Sequence, residues 1–197
     1  MNTANKLTLS RIVMAFLILF ILMISWSDFG ITIPNILVMN KIVVDIRYPI
    51  AGFIFVIACV TDYLDGAIAR KEKMTSDFGA VMDAIADKVL VNGLLVVLAY
   101  NGFISLVVPV IIITRDIVVD SLRILCAKQS IIVKANKWGK IKTIFMMIGL
   151  SFMLFYNLPF EVYGIYFADI LIYIATILSV ISAIIYFIKV KDKINWS

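Results

Sequence analysis

Long, nearly unbroken apolar runs govern what this chain can become; Ile12–Trp26 and Ile170–Ile188 are two of several. They are far longer than barrel strands, and lipid-facing backbone has to satisfy its own hydrogen bonds, so the runs read as membrane-spanning helices. With 63% apolar residues and a mean hydropathy of +1.06, the chain has too much hydrophobic sequence for a soluble domain of its size. The expected fold class is all-α, an integral membrane helix bundle.

The polar breaks divide the 197 residues into six spans. The first runs from Ile12 to Trp26 after an amphipathic amino-terminal segment, with Leu7, Leu9 and Ile12 lying in the interface beforehand. No small-residue cleavage site follows it, which argues against a signal peptide. Residues 28–48 hold Gly30, Pro34, Asp45 and Arg47 and read as a non-cytoplasmic connection with an interfacial piece. The second span covers Arg47 through Ile68, the third Ser76 to Tyr100 and the fourth Phe103 to Ala127, with Asn101-Gly102 as a tight turn. A basic linker, Lys128 to Lys142, leads to a fifth span ending near Tyr156; Asn157-Leu158-Pro159 breaks it, and the sixth runs from Tyr163 to Ile188. Without repeats or low-complexity segments, residues 1–197 read as one domain.

Lys6, Arg11, Lys71, Lys73, the lysines from Lys128 through Lys142, and Lys189, Lys191 and Lys193 share one side of this arrangement; Lys41 and Arg47 take the other. By the positive-inside rule, both termini and the bend between spans two and three are cytoplasmic. The net charge of +5 is spread over segment ends. That suits anionic headgroups and phosphorylated substrates better than nucleic acid. Cys59 and Cys126 show no CxxC spacing and read as packing residues. The absence of histidine excludes Ser/His/Asp triads and HExxH zinc chemistry, leaving acid-base work to carboxylates or lysines. Trp26, Trp138, Tyr156, Tyr163 and Trp196 read as interfacial belt anchors.

Against this apolar background, Asp62 to Asp87 reads DYLDGAIARKEKMTSDFGAVMDAIAD. Ionisable groups at such depth are costly and usually face a functional cavity. Asp62 and Asp65 stand at i and i+3, and Gly79, Asp83 and Asp87 at i, i+4 and i+8, so each acidic pair occupies one helix face. Asp62 and Asp65 precede Arg70 by eight and five residues, and Asp83 and Asp87 follow Ser76 by seven and eleven. At about 1.5 Å of rise per residue, the two faces reach similar depths and can share one pocket. Converging carboxylates suit a hard divalent cation, magnesium or manganese.

The stretch has the form D-x-x-D-G-x-x-A-R, eight residues, then G-x-x-x-D-x-x-x-D, and Asp62, Asp65, Gly66, Ala69, Arg70, Gly79, Asp83 and Asp87 match every fixed position. It resembles the signature of the CDP-alcohol phosphotransferases. The resemblance implies two divalent cations, Mg2+ or Mn2+, held by Asp62, Asp65, Asp83 and Asp87, with Asp87 also the general base that deprotonates an acceptor alcohol. It implies CDP-lipid contacts at Gly66, Ala69, Arg70, Ser76 and Gly79, and at Thr8 near the amino end. Bland readings stand beside these: the glycines can serve close helix packing, Arg70 can snorkel, and Ser76 and Thr8 can begin helices. The opening N-x-x-N-K-L-T-L-S-R-I, then MDAIADKVLVNGLLV, ITRDIVVDSLRILCA and WGKIKT, resemble the phosphatidylglycerophosphate synthase branch. Met82 and Ala84, where leucine and proline are common in that branch, are a departure beside Asp83. The branch implies CDP-diacylglycerol and glycerol 3-phosphate as substrates, membrane lipids as surroundings, a homodimer and a bacterial plasma membrane.

A phosphorylated acceptor needs cations beside the metals. Arg115 is the first candidate, then Lys140, then Arg123, with Lys134, Lys137 and Lys142 nearby. Arg123 can instead pair with Asp116 or Asp120, and the lysines can anchor to headgroups. Another acceptor within the family (serine, inositol phosphate or a lipid alcohol) is the alternative. A cation or proton transporter is the alternative of another class, although paired repeats and interrupted helices are absent from the sequence.

Overall fold

The computed structural model describes residues 3–72, 77–131 and 137–194. Six long helices carry most of them: α1 Thr3–Met23, α2 Arg47–Glu72, α3 Asp77–Tyr100, α4 Val107–Lys128, α5 Lys137–Leu154 and α6 Phe167–Lys191. The fold is mostly helical, as the apolar runs require. Gly102 makes the turn before α4 at φ 78°, and Tyr156 and Asn157, at φ 56° and 54°, end the fifth helix where the Asn-Leu-Pro break was expected.

Three boundaries differ in ways that bear on the site. The amphipathic amino-terminal residues are already helical, so Thr8 and Arg11 belong to α1 rather than to an interfacial lead-in. The supposed linker lysines Lys137, Lys140 and Lys142 lie in the first turns of α5; Lys134 lies outside the described residues. The sixth helix starts at Phe167, after a 3-10 turn at Phe160–Tyr163.

Residues 28–48, expected as a connection with an interfacial piece, hold a short strand pair within the otherwise helical fold. Strands β1 Asn35–Val38 and β2 Ile42–Asp45 form an antiparallel hairpin, with Leu37 opposite Val43. Met39 and Asn40 turn it at φ 51° and 55°; paired left-handed residues match the twist of flanking strands. Four-residue apolar strands carry no legible period, which hid them. The hairpin is tied down by Asp45, whose amide donates to the Tyr156 hydroxyl at 3.0 Å. Tyr156 also packs edge-on against Tyr48 and Phe103, at 5.5 and 5.3 Å between ring centroids. Tyr156 thus belongs to an aromatic cluster with Tyr48 and Phe103. Trp138 and Tyr163 are exposed, and Trp196 lies outside the described residues.

Helices α5 and α6 make the most extensive contact, and α1 packs on both α2 and α3. Gly149 permits the α5–α6 approach: a Cβ there would sit 2.8 Å from Ile172 Cγ1. One core draws on all six helices, from Ile18 of α1 and Phe55 of α2 through Leu94, Ile112 and Leu150 to Ile172 of α6. A smaller core joins α4 to α6 through Val119, Leu122, Tyr186 and Val190. Cys126 is buried in it, and both cysteines are free thiols. Large apolar side chains such as Phe16, Phe20, Phe53, Ile117, Ile177 and Ile184 point outward, an exterior suited to lipid. Among the described residues, α6 is the helix long and apolar enough by itself to cross a membrane.

Candidate active site

Consecutive antiparallel helices bring the amino-terminal part of α1, the carboxy-terminal part of α2 and the start of α3 to one end of the bundle. Thr8 and Arg11, three residues apart on α1, both face inward, with 7% and 2% exposure. The Arg11 Nη1 donates to Asp62 Oδ1 on α2, and the same nitrogen donates to Asp87 Oδ1 on α3 at 3.1 Å. A buried guanidinium of this kind is stable only with carboxylate partners. Since one nitrogen serves both, the two acids converge on a single point, as the similar depth of their helices led one to expect.

From Asp87 a cavity of about 560 Å³ opens between α3, α4, α5 and α6. Its walls include all three candidate cations, Arg115, Arg123 and Lys140. Arg115 is held by the Ser179 carbonyl oxygen at 3.0 Å, Asp116 Oδ1 at 2.6 Å and Ser182 Oγ at 3.4 Å. Lys142 Nζ reaches the same Asp116 oxygen at 3.3 Å and Ser179 Oγ at 3.4 Å. Two cations thus share one carboxylate and keep a net positive charge on this wall. Arg123 lies farther out, 3.9 Å from Asp120 and 5.8 Å from the centre of the Tyr186 ring; of its two expected partners it takes Asp120. Lys88 also pairs with Asp120, linking α3 to α4 across the cavity.

The remaining expected site residues fall where side chains are not described. Asp65, Gly66, Ala69 and Arg70 lie on α2, Gly79 and Asp83 on α3, and their side chains are outside the described residues, as is Ser76 altogether. Sequence reasoning missed Arg11, which counted only as a marker of sidedness, and gave Lys142 no more weight than its neighbours. The signal for Arg11 was its spacing from Thr8, which puts both on one helical face.

The family model for CDP-alcohol phosphatidyltransferase matches residues 1–184. The chain belongs to the CDP-alcohol phosphatidyltransferase family. Among its relatives, the CDP-diacylglycerol–glycerol-3-phosphate 3-phosphatidyltransferase of Bacillus subtilis is 35% identical over 99% of this chain and 95% of its own length. The protein of the same name from Mycoplasma genitalium is 33% identical over 98% of this chain and 85% of its own. A third, from Haemophilus influenzae, is 40% identical over 70% and 75% of the two chains.

CDP-alcohol phosphatidyltransferases depend on divalent metal ions and are associated with membranes. The described acids fit such an ion: Asp62 and Asp87 offer hard oxygen donors from two helices, and they already converge on one cationic atom, the Arg11 nitrogen. Among the described residues no group of three or more potential ligands gathers. The other two acids of the family pattern, Asp65 and Asp83, have side chains beyond those described.

Proposed function

We propose that this chain transfers the phosphatidyl group of CDP-diacylglycerol to sn-glycerol 3-phosphate, giving phosphatidylglycerophosphate and CMP. What carries the reading is the position of Asp87, which shares one cationic partner with Asp62 and lines the same cavity as Arg115, Arg123 and Lys140. A base, an acidic ion site and a cationic wall thus adjoin, as transfer to a phosphorylated alcohol requires. The names of the relatives from Bacillus subtilis and Mycoplasma genitalium, which carry the same activity, support the acceptor.

In this reading Arg115, with Arg123 and Lys140, holds the acceptor phosphate, and Lys142 joins them through the shared Asp116. Asp87 accepts the proton of the attacking hydroxyl. The alcohol oxygen bonds to the β-phosphorus of the donor, the bond from that phosphorus to the CMP oxygen breaks, and CMP leaves with the electron pair. Thr8, Gly66, Ala69, Arg70, Ser76 and Gly79 hold the nucleotide, Arg70 by a planar fork on the diphosphate. Two divalent cations, Mg2+ or Mn2+, bound through Asp62, Asp65, Asp83 and Asp87, would supply neutralisation of the diphosphate charge. The chain forms a single domain of six spans, with both termini and the site on the cytoplasmic face of a bacterial plasma membrane, and it works as a homodimer among membrane lipids.

Purified protein in detergent, given CDP-diacylglycerol and Mg2+, tests this by CMP release. Release with glycerol 3-phosphate in preference to serine, inositol phosphate or a lipid alcohol is expected. Preference for another acceptor overturns the substrate, and no release with any of them overturns the enzymatic reading.

A further inference from the structure

We infer that Arg11 is a built-in counter-cation, which occupies the divalent-metal position between Asp62 and Asp87 until metal arrives and then withdraws. The inference rests on the reading of these two acids as metal ligands. Its observation is that a single nitrogen, Arg11 Nη1, takes Oδ1 of both acids from the buried face of α1, with the residue 2% exposed.

Two facts make guanidinium and metal alternatives rather than companions. A small divalent ion binds carboxylate oxygen at about 2.0–2.1 Å, whereas a charged N–H donor sits at about 2.7–2.9 Å. An ion touching the same two oxygens would therefore fall almost on top of the nitrogen. Their like charges also repel at such a distance. Without any cation, Asp62 and Asp87 would face each other as converging anions, each raising the cost of the other's charge. Arg11 removes that problem in the metal-free protein.

The packing lets the side chain leave without unseating its helix. Ala15, Ile18 and Leu22 of α1 are all buried in the main core, and Leu19 packs against Gly93 of α3. These contacts lie one to three turns beyond Arg11 and hold α1 against α2 and α3 independently of its charge. A purely structural Arg11, by contrast, would stay between the acids whatever ions were added.

The first test needs no variant. The full chain in detergent micelles is treated with phenylglyoxal, with and without saturating Mn2+, and modified arginines are mapped by mass spectrometry. Arg11 should be protected without metal and become reactive with it; equal protection in both states overturns the inference. The second test measures Mn2+ binding by electron paramagnetic resonance, independently of turnover. Arg11→Met should bind Mn2+ on the order of tenfold more tightly, because its internal competitor is gone, and its metal-free form should melt below wild type. Unchanged or weaker binding overturns the inference and leaves the proposed function standing. If wild type binds no Mn2+, or if Asp62→Asn and Asp87→Asn bind it as wild type does, the acids are not ligands and both readings fall. Should Arg11→Met not fold, the labelling of wild type decides alone.

Discussion

Arg115 donates from Nε to the backbone oxygen of Ser179 at 3.0 Å, so the cation that faces the cavity also fastens α4 to α6. Arg115→Ala therefore has two expected effects. In steady-state kinetics, KM for glycerol 3-phosphate should rise more than KM for CDP-diacylglycerol if, as proposed, this wall holds the acceptor's phosphate. In thermal melts, stability should fall by about 1–3 kcal/mol, from the buried partners left unpaired. An equal rise in both KM values would remove Arg115 from the acceptor site.

Asp87→Asn keeps the shape of the side chain and most of its contacts while removing a base and an anion. Membrane insertion and folding should survive, and kcat should fall by about 10²–10⁴. Turnover close to wild type would remove Asp87 from the proton-accepting role.

Chelation follows from the donor set. With EDTA, CMP release should stop, and Mg2+ or Mn2+ should restore it, whereas Asp62→Asn should stay inactive at metal concentrations that saturate wild type. Activity that resists chelation would count against the acids as ion ligands.

Gly149→Ala probes the close α5–α6 contact. The added carbon would meet Ile172 Cγ1 at 2.8 Å, Leu171 Cβ at 3.2 Å and the Ala168 carbonyl oxygen at 3.3 Å. The end of an isoleucine can shift, but a helix backbone has little room to do so. A loss of about 1–3 kcal/mol is expected in thermal melts, with KM unchanged for both substrates.

Asn157 is 3% exposed and closes the α5–α6 connection. Its amide nitrogen donates to Glu161 Oε2 at 3.0 Å and to the Ile165 carbonyl at 2.7 Å, and its oxygen accepts from the Ala168 amide at 3.0 Å. Asn157→Ala removes all three bonds and leaves alanine at φ 54°. The expected cost is about 2–4 kcal/mol, read as a lower Tm.

The helices were legible because apolar runs in a membrane protein have one way to satisfy their backbone. Short-range chemistry was legible too: Asn101-Gly102 and Asn157-Leu158-Pro159 mark breaks that the structure contains. The β1–β2 hairpin was not, because the six apolar strand residues on either side of Met39-Asn40 read equally well as an interfacial piece. Nor was the reach of α1, whose polar opening looked like a lead-in and is in fact helix.

By itself, the sequence determined the mostly helical character of the chain, the spacing of acids on two helical faces and the family pattern that runs from Asp62 to Asp87. All three depend on spacing along the chain, and helix geometry converts spacing into faces without reference to any neighbour. The tertiary structure decided which helix lies over those acids and which charges answer them. Arg11 meets Asp62 and Asp87 from 51 and 76 residues away, and Lys142 meets Asp116 from 26 away. Such partners are chosen by how helices pack, since a buried charge must find its opposite in space wherever that residue stands in the sequence.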